Sequence, residues 1–194
     1  MEDPAVLDDR VDRVRAALLD RSGGTATVER RVAASVAHLG IVARLIAPAV
    51  ATRALQAPGG RDSVSLAPED LWWQDVLGGP VPLSGVVVDA PPDPLGGSAV
   101  EALTRLVTRR YALSPSVAWG NVASAANSAA AMVGASRPEL AEAARAAADA
   151  FLARPEVEGG VLRAGPGFRR RSCCLIYRIA GSREAVCGDC ILAS

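Results

Sequence analysis

Between Asp8 and Asp20 the apolar positions fall at Val11, Val14, Ala17 and Leu18 with charges between them, the spacing of an amphipathic helix. Gly23 and Gly24 end that pattern. From Val28 to Gln56 the chain reads VERRVAASVAHLGIVARLIAPAVATRALQ, apolar around most of a helix circumference. This predicts a buried helix or pair of helices, capped by Thr25 or Thr27 and interrupted or kinked near Pro48, where a backbone donor is missing. Pro58, Gly59 and Gly60 close the region. Pro68-Glu69-Asp70 has the proline and early acids of a helix start and predicts a short helix through Leu71, Trp72 and Trp73, stopped by Gly78-Gly79-Pro80. Residues 81–89, VPLSGVVVD, are rich in β-branched valine and predict one or two short strands. A proline-rich turn at 91–94 follows. Ser98 caps a helix through Arg110, Ser114 a second from Pro115 to about Val133, and Ser136 a third through Leu152. After the glycine-rich stretch 159–167, Cys174 to Ala180 reads as a strand that ends in a turn before Cys187. The expected fold is α+β and mainly α. A helical body with short strands, residues 1–160, carries a small cysteine-bearing segment, residues 161–194, as one compact unit.

Composition narrows the functional classes. With 194 residues, 50% of them hydrophobic and 22% charged, the chain can bury a core of its own. Its formal net charge is zero, so no whole-protein field recruits nucleic acid or an anionic membrane. The acidic N-terminus lacks the basic-then-apolar layout of a secretory signal, and a cytoplasmic protein is expected. The apolar run from Val32 to Val50 contains His38, Arg44 and Pro48, and a central arginine costs roughly 2.5–3.5 kcal/mol on insertion scales. A buried core helix is expected there rather than a membrane span.

The sharpest chemical signal is C-C-x12-C-x2-C, formed by Cys173, Cys174, Cys187 and Cys190, the only four cysteines of the chain. In a reducing compartment such a cluster points to metal ligation or thiol chemistry rather than to disulfides. Four thiolates complete a tetrahedral Zn²⁺ site or supply two ligands to each iron of a [2Fe–2S] cluster. Adjacent side chains in a regular strand face opposite ways, so Cys173 and Cys174 can serve one site only if the backbone is distorted or the site is large. Spacing alone leaves two-iron, zinc and redox-thiol readings open.

A resemblance extends this reading. Arg171-Ser-Cys-Cys-Leu-Ile-Tyr-Arg178 followed by Cys187-Gly-Asp-Cys190 resembles the C-terminal signature of the FhuF-type ferric-siderophore reductases. Ala33 to Pro48 and Leu113 to Ser124, with Trp119-Gly120-Asn121, resemble helical segments of the same family in the same order. The twelve residues between the cysteine pairs exceed the family pattern, and a loop from Ala180 to Ala185 absorbs the excess without moving the ligands.

The resemblance implies a [2Fe–2S] cluster on Cys173, Cys174, Cys187 and Cys190, and one-electron reduction of Fe³⁺ in a siderophore, expected to be a hydroxamate. It also implies a donor such as a ferredoxin or an NAD(P)H-dependent reductase. The alternatives are a partner-binding helical domain with a structural Cys₄ zinc site, and a [2Fe–2S] electron carrier or sensor. Arg163, Arg169, Arg170, Arg171, Arg178 and Arg183 are opposed only by Glu184 and Asp189 between residues 160 and 194, which predicts a positive rim. Arg170, Arg171, Arg178, Trp119 and Asn121 are candidate donor or substrate contacts, set against core roles for Trp119 and Asn121. His38 is expected to be a buried core residue, Arg44 to find an internal carboxylate or carbonyl, and Trp72-Trp73 to pack.

Overall fold

The most apolar stretch of the sequence becomes the axis of the fold. In the computed structural model, which describes residues 4–22, 27–56, 60–77, 82–180 and 187–192, the amphipathic helix α1 (Pro4–Arg21) precedes α2 (Arg30–Ala54). Pro48 lies inside α2 without dividing it. Leu45, Ile46, Ala49 and Val50 are buried around it, so packing on both sides offsets the missing backbone bond, and of the expected interruption or kink the interruption is corrected to one continuous helix. Its cap is also corrected: Glu29 stands at the N-cap position with no side-chain bond, and Thr27 precedes it. Thr25, Gly23, Gly24, Pro58, Gly59 and Gly78 to Pro80 lie outside the described residues.

Three further helices pack on this axis: α3 (Ala99–Arg110), α4 (Pro115–Ser136) and α5 (Ala141–Leu152). Ser98 caps α3 as expected, its Oγ accepting the Glu101 N–H at 3.1 Å. The α2–α4 contact is the principal one. Small buried residues, Ala33, Ala34 and Ala37 on α2 and Ala118, Ala125 and Ala126 on α4, let the two backbones approach closely. Ser136 closes α4 rather than opening α5, which begins after a 3₁₀ turn at Pro138–Leu140. α2 is the one helix among the described residues long and apolar enough to cross a membrane, and most of its apolar window is buried against protein.

The strands form two nested antiparallel ribbons. β1 (Asp62–Val64) pairs with β4 (Val87–Asp89), placing Ser63 opposite Val88. Between them, β2 (Leu71–Trp73) pairs with β3 (Leu83–Gly85), placing Trp72 opposite Ser84. β3 and β4 occupy the predicted strand region. The short helix expected from Pro68 is corrected: Pro68–Asp70 is a single 3₁₀ turn, pinned by the Ser65 hydroxyl on Asp70 at 2.6 Å, and Leu71 to Trp73 extend into β2. Trp72 is exposed, and Trp73 is only partly covered.

The strand expected from Cys174 to Ala180 is absent. The chain bends at the two cysteines, Leu175 takes a left-handed φ of 70°, and a one-turn helix α6 (Tyr177–Ala180) follows. Among the described residues no neighbouring strand offers a ladder, and the Leu175 N–H turns instead to the Cys173 sulfur at 3.4 Å.

Candidate metal centre

Two helices of the body form the floor on which the cysteines rest. Gly120 of α4 has no Cβ, and Ser172 packs into that gap. The Ser172 hydroxyl and the Arg171 N–H both donate to the Glu158 carboxylate, at 3.0 and 2.5 Å. One residue beyond the adjacent pair's first member, the Cys174 carbonyl accepts from Ser35 Oγ of α2 at 2.9 Å. The left-handed Leu175 follows directly, and the two neighbouring side chains meet different members of the second pair, Cys174 meeting Cys187 and Cys173 meeting Cys190.

The second cysteine pair is a tight turn, Cys190 N–H donating to the Cys187 carbonyl at 3.0 Å. It docks through the Asp189 carbonyl on the Arg170 N–H at 3.1 Å, and through the Asp189 carboxylate on the Ser124 hydroxyl of α4. Together these turns bring Cys174 Sγ to 3.6 Å from Cys187 Sγ and set Cys173 against Cys190. A disulfide requires ~2.05 Å, and all four cysteines are free. Two thiolates on one tetrahedral metal, with metal–sulfur bonds of ~2.3 Å, lie roughly 3.8 Å apart. The sulfurs therefore gather as two ligand-like pairs. Among the described residues no three His, Cys, Asp or Glu side chains are grouped around a single ion position.

Burial and thiol–thiol proximity push Cys173 up to about 11 and Cys187 up to about 12, while Arg170 acts on Cys187 in the opposite sense. Low-pKa thiol chemistry is disfavoured in such a setting. Metal coordination reverses the balance, because it deprotonates a thiol outright. Amide donors already face sulfur: Leu175 N–H on Cys173 and Leu192 N–H on Cys190, each at 3.4 Å.

Arg170 departs from the expected positive rim. It is 1% exposed, with Nη2–H on Cys187 Sγ at 3.0 Å and Nη1–H on Asn121 Oδ1 at 3.0 Å. Its neighbours Arg169 and Arg171 are exposed, so the arginine triplet alternates faces like any extended segment; that period of two is the signal by which the sequence could have singled out Arg170. Arg178 is exposed and pairs with Glu29 at 2.7 Å. Arg183 and Glu184 lie outside the described residues.

Asn121 and His38 are fully buried, as expected for core polar groups. Asn121 Nδ2 donates to the Ser35 carbonyl at 3.0 Å and reaches His38 Nδ1 at 3.4 Å. Burial holds His38 down to about 3, and its neutral ring donates from Nε2 to Thr104 Oγ1 at 3.0 Å, since the Thr104 hydroxyl proton is committed to the Val100 carbonyl. Trp119 is buried, with the Arg154 guanidinium 5.9 Å from its ring centre. Arg44 finds the Gly40 carbonyl of its own helix at 2.7 Å. Sequence reasoning missed Ser35, Ser124 and Glu158, since a lone serine or glutamate carries no spacing signal.

A cavity of about 780 Å³ opens beside the second cysteine pair, lined by Ser124, Asn127 and Ser128 of α4, Arg145 of α5, Cys187 and Asp189. Another, about 410 Å³, lies between β2 and α3 and has no cysteine in its lining.

The four-sulfur constellation, its N–H···S donors and the buried guanidinium define a four-cysteine metal site of the class that holds zinc or an iron–sulfur cluster. Residues 170–190 match the family described as the FhuF 2Fe-2S C-terminal domain. A [2Fe–2S] cluster is thus the cofactor of this segment. No curated protein and no solved structure matches the chain. The residues present fit that group: the thiols stand in pairs, and the buried Arg170 Nε–H has no partner among the described residues, a donor that an anionic cluster would engage.

Proposed function

We propose that the protein reduces Fe³⁺ held by a siderophore to Fe²⁺, with Cys173, Cys174, Cys187 and Cys190 holding the [2Fe–2S] cluster. When bound, the cluster supplies a one-electron carrier at the protein surface. Fe³⁺ is a hard ion matched to oxygen chelators, and the lower charge of Fe²⁺ weakens every such bond, so one electron releases the iron. No proton transfer is needed, in keeping with a single, buried, neutral histidine.

The observation that carries the reading is the cavity beside Cys187. Its size suits an organic chelate, and its wall includes a half-exposed cysteine of the cluster segment. Apart from the cluster ligand Cys187, Arg145 and Asp189 are its one cation and one anion and cancel, so the charge left at the cavity is that of the anionic cluster, which suits a neutral ferric hydroxamate better than a polyanionic catecholate. The Ser128 hydroxyl borders the same space. The exposed Arg163, Arg169 and Arg171 supply a positive surface for an acidic ferredoxin or another reductase. The body, residues 1–160, positions the segment 161–194 through Ser35, Gly120, Asn121 and Ser124, so the two act as one unit.

The reading is tested by mixing anaerobically reduced protein with increasing ferric trihydroxamate. Reoxidation should saturate with chelate concentration, as expected for docking before electron transfer. A rate that stays linear, or no reoxidation at all, would contradict it.

A further inference from the structure

Arg170 is the only guanidinium that touches a cluster-segment sulfur among the described residues, and it is held there by a chain of donors reaching across three helices. Its Nη2–H meets Cys187 Sγ at 3.0 Å and its Nη1–H meets Asn121 Oδ1 at 3.0 Å. Asn121 is fixed in turn because its amide must present Nδ2 to Ser35 and His38, leaving Oδ1 for the guanidinium. His38 is oriented by Thr104 of α3, and Thr104 by the Val100 carbonyl. Donation runs from Arg170 through Asn121 and His38 to Thr104 and the Val100 carbonyl, and the same guanidinium donates the other way to Cys187. Arg170 Nε–H is buried and without a partner among the described residues.

A surface arginine needs no such fixing. One that is 1% exposed has been taken out of water and must be matched by negative charge. The groups facing it are Cys174, Cys187 and Asp189. Asp189 is also bonded by Ser124, and its carboxylate is a single charge. The cluster with four thiolates carries two negative charges when oxidised and three when reduced, so a fixed adjacent cation favours the reduced form. N–H···S bonds act in the same direction by drawing electron density from sulfur.

We propose that Arg170 sets the reduction potential of the cluster through its contact with Cys187, and that Asn121, oriented by Ser35 and His38, is the residue that positions it. The proposal rests on the cluster assignment above but not on the chelate. It gives the Trp119-Gly120-Asn121 stretch a role remote from substrate: the asparagine aims a charge rather than lining a pocket. It also separates Arg170 from its exposed neighbours, whose charges are screened by water and salt.

The test is a redox titration of the holoprotein and its variants, followed by the visible spectrum, with iron and sulfide measured on each sample. Arg170→Gln should lower the midpoint, shifting the one-electron equilibrium constant about tenfold, or about 59 mV. Asn121→Ala keeps the charge but frees Nη1, and should move the midpoint the same way by about threefold. Arg171→Gln removes an exposed charge one position away and should change it by less than about twofold. A loaded Arg170→Gln whose midpoint matches the wild type, or an Arg171→Gln shift of equal size, would overturn the proposal. Should Arg170→Gln not retain its cluster, Arg170→Lys and Asn121→Ala decide, and midpoints unchanged in both would overturn it. Absence of iron and sulfide from the wild type would instead remove the cluster itself, a failure distinguishable from an unmoved midpoint.

Discussion

Gly120 on α4 and Ser172 beside the adjacent cysteines are packed so closely that a methyl group on Gly120 would collide with Ser172 Oγ. That hydroxyl cannot simply rotate away, because it donates to Glu158 at 3.0 Å, and Glu158 also anchors the Arg171 N–H. Gly120→Ala should therefore lift the cysteine segment from α4, although alanine favours a helix by ~1 kcal/mol. A net loss of about 1–2 kcal/mol is expected from overpacking. Thermal unfolding and iron content per chain should both fall, and Ser172→Ala in the same chain should recover part of the loss. Undiminished iron in Gly120→Ala would show that the contact does not position the ligands.

Each cysteine is expected to matter, because two thiolates serve each iron and removing one leaves an open coordination position. Cys173→Ser, Cys174→Ser, Cys187→Ser and Cys190→Ser should each lose or strongly alter the visible spectrum. Retention of an unaltered spectrum after a double substitution of Cys174 and Cys187, the pair 3.6 Å apart, would sink the ligand assignment.

The helical body should outlast the cluster. The hydrophobic cluster of its helices, from Val11 through Ile46 and Leu103 to Phe151, contains no cysteine, so far-UV circular dichroism of the apo protein should stay helical. That apo protein also carries a pH signature at His38, whose folded value is lowered by burial from 6.5 to about 3. Between those values the unfolded chain binds the proton and the folded chain does not, so stability falls as pH falls below 6.5. The slope should approach ~1.4 kcal/mol per pH unit. Unfolding measured from pH 7 to 5 should show this extra dependence in the wild type and lose it in His38→Gln; equal slopes would place the imidazole in contact with water.

Electron delivery should depend on exposed charge. Arg171→Ala is expected to weaken reduction by an acidic protein donor several-fold at low ionic strength, with the difference fading as salt shortens the Debye length to ~8 Å near 0.15 M. Reoxidation of the chemically reduced protein by a ferric chelate should change little. Loss of both steps in equal measure would put Arg171 at the chelate rather than at the donor.

The helices were legible in the sequence wherever apolar spacing and caps agreed, as for α1 and for Ser98 at the start of α3. No interruption occurs at Pro48 because a local breaker yields to burial on both sides, and the segment after Cys174 misled because its β-branched and aromatic residues have no strand to pair with among the described residues. The cysteines were legible as a group. Their pairing across the loop was not, since it depends on the left-handed Leu175 and on docking to Ser35 and Ser124. Arg170 looked like its neighbours in composition and differs only in the direction it faces.

Reduction of chelated iron is the central claim, and a ferrous trap tests it most directly. Chemically reduced protein, freed of excess reductant and mixed anaerobically with a ferric trihydroxamate and a Fe²⁺-specific chromophore, should transfer one equivalent of iron to the trap per cluster oxidised. Cluster-free protein should transfer none. Reoxidation of the protein without iron reaching the trap, or no reoxidation by any ferric siderophore, would contradict the account.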